Sequence, residues 1–489
     1  MKQVFNPILP LHEYIPDVEA HVFGDRVYLY GSHDKENGDT FCMLDYVIYS
    51  APINDLTDWS NKGINYSASQ DPLYSEKMNY MYAPDCVKGN DGRYYLYYCL
   101  SGYKGQGGYS NPVSVAVCDT PDGNFEFYGH VKDKDGSIYN DVLLFDPAVI
   151  NDNGTIRLYC GSDLFWLNYI KPKFIRNIVL QKTLSKTKEE IKKLQMGSFH
   201  IELEDDMLTV KKEAVRIDNQ ISGAEYQNHK FFEGSSIRKI NDLYYFVYSS
   251  INNHELCYAT SKYPDKDFVY GGTIVSNGDI GYQGRSSKDR LNHTGTNHGC
   301  IECINDKWYV FYHRLTHNSD YSRQVCAEKI NINKDGSIDQ VEITSCGLNN
   351  GYLKCSTYPA AICCNLTNGK MNHASNSNSK TNEPNITNNN DERYITGINN
   401  NTSIVYKYFE LEGDLKLSLA VRGSKGRIEI YFNEQIIETI DKQEDSSWTV
   451  YSKDIKIEKG IYSLTFKYIG KGEIDFKEFT IEKGGSDNV

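Results

Sequence analysis

The chain has 489 residues, 39% of them apolar, with 39 Tyr and 19 Phe and a net charge of −13. That charge excludes nucleic acid and an anionic membrane surface as partners, since both would repel it. No stretch reaches the roughly 18 apolar residues of a membrane-spanning helix, and at about 150 residues per domain the length is that of two or three domains.

The first residues, MKQVFNPILPLHEYIPD, break their apolar stretch with prolines and charge, which is not the pattern of an export signal. Thirteen Cys, an odd number without regular spacing, read as reduced thiols. Together these predict a cytoplasmic location.

A pattern then recurs five times. Each copy has an acidic residue or His, a short apolar strand, a polar turn and a Tyr-rich strand. The copies begin at Asp17 (turn Gly24-Asp25, then RVYLYGS), Asp85 (Asp91-Gly92, RYYLYYC), Asp146 (Asn153-Gly154, TIRLYCG), Glu233 (Asn241-Asp242, LYYFVYS) and His298 (Asn305-Asp306, KWYVFYHR). Asp-Gly and Asn-Gly supply the positive φ angles of tight hairpins. Successive lead residues lie 68, 61, 87 and 65 positions apart, enough for about four strands, or one propeller blade. The long third interval holds LSKTKEEIKKLQ (184–195), where Leu184, Ile191 and Leu194 approach helical spacing. It predicts a short surface helix.

Other motifs carry less. GYKGQGGY (102–109) lacks the Lys-Ser/Thr ending of a phosphate loop and reads as a loop at a pocket rim. Cys300 and Cys303 have no second pair to complete a zinc site, and His313 and His317 sit where a strand runs into a loop. Tyr82 and Trp166 are aromatic rings suited either to stacking on a sugar or to core packing. From about 364 to 401 the chain is rich in Asn, Ser, Thr and Lys, which predicts a linker or long loops. Alternating strands follow: SIVYKYFEL, LKLSLAVRG, RIEIYFN, IYSLTFKYIG and EIDFKEFTIE. They predict an antiparallel sandwich.

The expected fold is therefore all-β: a five-bladed β-propeller over residues 1–346, then a β-sandwich (jelly-roll) domain over 347–489. In a propeller the innermost strand of each blade lines the central channel. Five blades would aim Asp17, Asp85, Asp146, Glu233 and His298 at one axial pocket. Four converging carboxylates repel one another, so such a cluster points to catalysis or a cation. Carboxylates across a cleft suit glycoside hydrolysis, in which one gives a proton to the leaving oxygen and another activates water or attacks carbon.

These residues resemble glycoside hydrolase family 43, a family of five-bladed propellers acting mainly on arabinose- and xylose-containing polymers. NPILPLHEYIPD with GDRVYLYGSHD resembles its first blade and implies that Asp17 is the general base. MYAPD resembles a second-blade motif, with Tyr82 in place of the usual Trp. LLFDPAVINDNG implies that Asp146 tunes the acid's pKa, and FFEGSSIRK that Glu233 is the general acid. HTGTNHGCIE with YHR resembles the fifth blade, where His298 would bind a calcium ion or an ordered water on the propeller axis. No organic cofactor is implied.

The resemblance implies an inverting reaction. Asp85 is assigned to hydrogen bonds with sugar hydroxyls, and Arg314 is expected to reach the same pocket unless it forms a surface salt bridge. The C-terminal strands resemble a family 6 carbohydrate-binding module, either binding sugar or buttressing the propeller. The function expected is exo-acting release of pentoses, α-L-arabinofuranose or β-D-xylose, from oligosaccharides of plant cell walls. Two alternatives are a retaining fructan hydrolase on a related propeller and a non-catalytic sugar-binding propeller.

Overall fold

A computed structural model of the protein describes residues 2, 4–184, 186–349, 351–373 and 382–484. Five antiparallel sheets follow one another along the first two thirds of the chain, each in simple sequence order. The first blade comprises Glu19–Phe23, Arg26–Tyr30, Tyr46–Pro52 and Ser60–Tyr66; the second, Tyr80–Lys88, Tyr94–Ser101, Val113–Cys118 and Glu126–His130. The third comprises Ala148–Asp152, Thr155–Ser162, Gly197–Leu203 and Val215–Arg216; the fourth, Phe231–Ile240, Leu243–Ser250, Leu256–Ser261 and Val269–Val275. The fifth has Ile301–Ile304, Lys307–Leu315 and Arg323–Ile330. The repeated hairpins are thus the first two strands of each blade, and the turns lie between them.

The apolar core is split into wedges between neighbouring blades, because a β-sheet must cover both faces when it stands edge-on to the axis. Tyr46, Met81 and Leu96 join the first two blades, Val115, Leu158 and Ile201 the next two. Tyr159, Phe231 and Phe246 continue the ring, then Val247, Ile301 and Val310, and Val27, Phe311 and Val325 return to the start. The axis itself is left to polar residues.

The ring is closed by its own N-terminal segment. Ile8 N–H donates to Val325 O at 3.1 Å and Asn6 N–H to Ser345 O at 3.0 Å. The Asn6 side chain bonds both Ala327 N–H and Ala327 O, at 3.0 and 3.1 Å.

The third blade holds more helix than the sequence predicts. Lys188–Lys193 is helical, opened by a capping box between Thr187 and Glu190. A longer helix, Lys173–Leu184, precedes it with Leu180 and Leu184 buried. Both pack on Tyr82, Phe145 and Trp166, so the insertion is a pocket wall and not a surface ornament. Six of the twelve residues of the longer helix are apolar, but the helical spacing noted in the sequence begins only at its last residue, Leu184.

The C-terminal sheet has nine strands, two of them very long, Ser403–Gly423 and Asp445–Gly470. Bulges at Tyr406/Phe409, Leu411/Gly413 and Val421/Gly423 bend this pair. Phe409, Leu417, Leu464, Phe466 and Phe479 form the core they enclose. The segment expected to be linker departs from that expectation: Asn385–Asn389 and Glu392–Ile398 pair as a hairpin on this sheet. Asn365–Thr367 also pairs on this sheet, and 374–381 lie outside the described residues. The ring of Trp448 faces the Arg422 guanidinium at 4.3 Å, and its N–H donates to Glu392 at 3.0 Å.

Candidate active site

A hollow of about 600 Å³ opens at one end of the propeller axis, lined among others by Asp17, Tyr82, Asp146, Glu233, His298 and Arg323. It falls within the size range of small-ligand pockets, about 300–1,000 Å³. Phe41, Tyr109, Phe145, Phe165, Trp166 and Phe232 give it aromatic walls, and the Gly-rich loop contributes Lys104, Gly105 and Gln106.

Asp17 and Asp146 lie two residues before the innermost strands of their blades, and both hold left-handed backbone, φ 57° and 46°. Such conformations are strained for residues other than glycine and cluster at functional sites. Asp17 is buried, which alone would raise its pKa. The Arg323 guanidinium, 2.8 Å from Oδ1, outweighs burial together with His313 and His298, and holds the carboxyl below its ordinary value. Arg323 is fixed in turn by Asp34, at 2.8 and 3.0 Å, and lies over the Phe41 ring at 4.9 Å.

His313 Nδ1 lies 3.5 Å from both the backbone N–H and Oδ1 of Asp17. Burial pushes its pKa down to about 3, so the ring is neutral. Its Nδ1 accepts the Asp17 N–H, leaving Nε2 to donate to Thr296 Oγ1 at 3.4 Å.

Glu233 is governed by burial, which pushes it up to about 7, with the Asp17 charge adding to the rise. Tyr109 O–H donates to its Oε2 at 3.2 Å. Asp146 is also raised well above the usual range, by burial and then by Glu233 itself. Two adjacent buried carboxyls cannot both ionise cheaply, so the pair retains a proton where an isolated carboxyl has lost it.

Gly234 links these groups. Its N–H donates to Asp146 Oδ2 at 3.1 Å. Its φ is +70°, and an added Cβ would lie 3.1 Å from the His298 ring. The glycine after the acid is therefore required both by conformation and by space. His298 Nδ1 lies 3.9 Å from Asp146, and its Nε2 is buried with no hydrogen-bond partner among the described residues.

Two expected substrate contacts do not reach the hollow. Asp85 is fully buried away from it: Oδ1 takes His21 Nε2 at 2.6 Å and Cys86 N–H at 2.7 Å, and Oδ2 takes Val149 N–H at 2.6 Å. The reason is register. Asp17, Asp146 and His298 lie six residues before the last paired residues of their strands, Phe23, Asp152 and Ile304, whereas Asp85 lies only three before Lys88, because the second-blade turn spans 89–93. An odd step along a strand reverses the face. Arg314 instead donates to Gln324 Oε1, at 3.1 and 2.8 Å, and to Cys363 O at 3.2 Å, on the side where the C-terminal segment packs. The arginine of the site is Arg323, which the repeat pattern does not single out because it opens a third strand. His313 lay within the YHR motif, and its pairing with Asp17 needs the fold to be seen.

Known proteins resemble the chain along most of its length. A xylosidase/arabinosidase of Thermoclostridium stercorarium is 40% identical over 500 aligned positions, spanning 98% of this chain and 99% of that protein. A xylosidase/arabinosidase of Bacteroides ovatus is 30% identical over 68% of this chain and 95% of its own length. Among solved structures, CoXyl43, a β-xylosidase/α-arabinofuranosidase from a compost microbial metagenome, was determined with xylotriose in a calcium-free form. It is 26% identical, with a TM-score of 0.51, over 70% of this chain and 98% of that one. Residues 4–338 match the sequence profile of glycosyl hydrolases family 43, and the chain belongs to that family of glycoside hydrolases.

Proposed function

We propose that the protein is an inverting, exo-acting glycosidase that releases α-L-arabinofuranose or β-D-xylose from short arabinose- and xylose-containing oligosaccharides. The observation that carries this reading is the opposed tuning of two carboxyls in one hollow: Asp17 held ionised by Arg323, Glu233 raised to about 7. Separated pKa values assign base and acid. The relatives' names, which pair xylosidase with arabinosidase, support the pentose class.

Asp17 takes a proton from a water that attacks the anomeric carbon. Glu233 gives its proton to the departing glycosidic oxygen as the bond breaks. Asp146 keeps that proton on the pair and, anchored by Gly234 N–H, orients Glu233. Exchange with solvent then returns one proton to Glu233 and removes one from Asp17. The thirteen cysteines are free thiols, which suits a reducing compartment, and we place the reaction in the cytoplasm.

The test is a panel of aryl pentosides and natural oligosaccharides assayed on the wild type and Glu233→Ala. Loss of general acid catalysis should cost roughly 10²–10⁴-fold on natural linkages and much less where the aryl leaving group needs no proton. Equal loss on both would remove Glu233 from the acid role.

His298 Nε2 is assigned to a hydrated calcium ion. Calcium takes six to eight ligands, mostly oxygen, so with one imidazole nitrogen from the protein its shell would be chiefly water. Such an ion would supply positive charge on the propeller axis. Chelation should lower Tm by a few degrees in the wild type, roughly 1 kcal/mol, and have no effect in His298→Ala. An unchanged wild-type Tm would put water there instead.

A further inference from the structure

The segment after the propeller does more than cover its side. Asn372 O accepts the Thr294 N–H at 3.2 Å, and His373 Nδ1 lies 3.1 Å from Thr294 Oγ1. Glu383 binds His293 Nδ1 at 2.8 Å. His293 and Thr294 directly precede Thr296, Asn297 and His298, all of which line the hollow. Thr296 holds φ 49°, an outlier for a β-branched residue.

The same histidine meets a second wall. The His373 ring lies 5.3 Å from that of His254, which lines the hollow and packs edge-on against Phe232, the neighbour of Glu233, at 5.1 Å. His254 follows Asn253 in a turn with two successive left-handed residues, φ 57° and 54°. Its Nδ1 is buried with no partner among the described residues. A strained turn persists only where its surroundings fix it. Two contacts meet this turn: the Arg290 guanidinium, which donates to Asn253 Oδ1 at 3.0 Å, and, from the C-terminal segment, the His373 ring.

The geometry points to His373 as a positioning residue: from outside the propeller it seats His254 and the 293–298 loop, and thereby sets how tightly the pocket grips its terminal sugar. This rests on the pentosidase reading and deepens it, giving the C-terminal sheet a part in the fit of the sugar. Burial lowers the pKa of both rings, His254 to about 3 and His373 to about 4, so the contact is a packing one between neutral imidazoles throughout the working range.

Three variants separate positioning from general support. His373→Ala removes both contacts. His373→Asn keeps a polar atom near Nδ1 for Thr294 but removes the ring from His254. Glu342→Gln weakens a different contact to the C-terminal sheet, the 2.9 Å pair with Lys407, away from the hollow. With aryl α-L-arabinofuranoside and β-D-xyloside, His373→Ala should raise KM about tenfold with kcat little changed. His373→Asn should fall between it and the wild type. Glu342→Gln should lower Tm without moving KM. Amide hydrogen exchange at 251–256 and 293–298 should quicken in His373→Ala and not in Glu342→Gln. Wild-type KM and exchange in His373→Ala would overturn the inference. A wild type inactive on every pentoside would instead overturn the proposed substrate class, and the exchange data would still judge whether His373 holds the two loops.

Discussion

Two groups of buried carboxylates lie along the innermost strands, each built around one arginine. In the hollow, Arg323 joins Asp17 and Asp34 beside Glu233 and Asp146. Further along the strands, Arg238 joins Glu19 at 2.9 Å and Glu302 at 3.0 Å, beside the fully bonded Asp85. Burial raises Glu19 to about 7, the same value as Glu233. A raised carboxyl pKa therefore does not by itself mark a catalytic acid in this molecule. The difference is access: Glu233 lines the large hollow, while the smaller hollow near the second group is lined by His21, Arg238 and Glu302 but by neither Glu19 nor Asp85.

The largest expected effect comes from breaking the first group at its arginine. Arg323→Met leaves Asp17 and Asp34 buried without their cation. Removing one partner from a buried pair costs about 3–5 kcal/mol, so Tm should drop sharply. In whatever fraction folds, the acid limb of the pH–activity profile should move up, because Asp17 loses the charge that holds it ionised. An unmoved acid limb would mean that Arg323 does not tune the base.

Asp85→Asn probes the second group. It removes a charge that accepts three hydrogen bonds, at a cost of about 1–3 kcal/mol, and should leave kcat and KM of the folded enzyme unchanged. A selective rise in KM would restore Asp85 to the sugar site.

The smallest effect has the opposite sign. A carboxyl whose folded pKa lies above its unfolded value retains its proton while the unfolded chain loses it. Stability from Glu233 is therefore greatest below about pH 4.5 and is lost as pH rises towards 7. Glu233→Gln, nearly isosteric and uncharged, should be more stable than the wild type at pH 7 by on the order of 1–2 kcal/mol, with no difference at pH 4. Measured Tm against pH checks this. The same group predicts an alkaline limb of activity near pH 7.

The blades were legible because each hairpin turn must supply a positive φ, and Asp-Gly, Asn-Gly and Asn-Asp announce it in order. The places of Asp17, Asp146, Glu233 and His298 followed from those turns. Asp85 did not, because the longer turn of its blade, residues 89–93, leaves it only three residues before the last paired position of its strand. Arg323 carries no local signature, and the YHR motif that holds His313 does not show its partner: both meet Asp17, some 300 positions earlier. The hairpin of 385–398 was hidden by its composition, since Asn and Thr read as loop although Ile386, Ile395 and Ile398 face the core.

The clasp made by Asn6 and Ile8 has a bearing on how the enzyme comes into being. During synthesis the base-bearing strand emerges first and its arginine more than 300 residues later. Until Val325 and Ala327 leave the ribosome, the N-terminal segment has no partner to zip against, and four finished blades would form an open arc. Catalytic competence should thus arrive abruptly, at the moment the circle shuts. A nascent chain stalled before that point would carry nearly every catalytic side chain and still be inert.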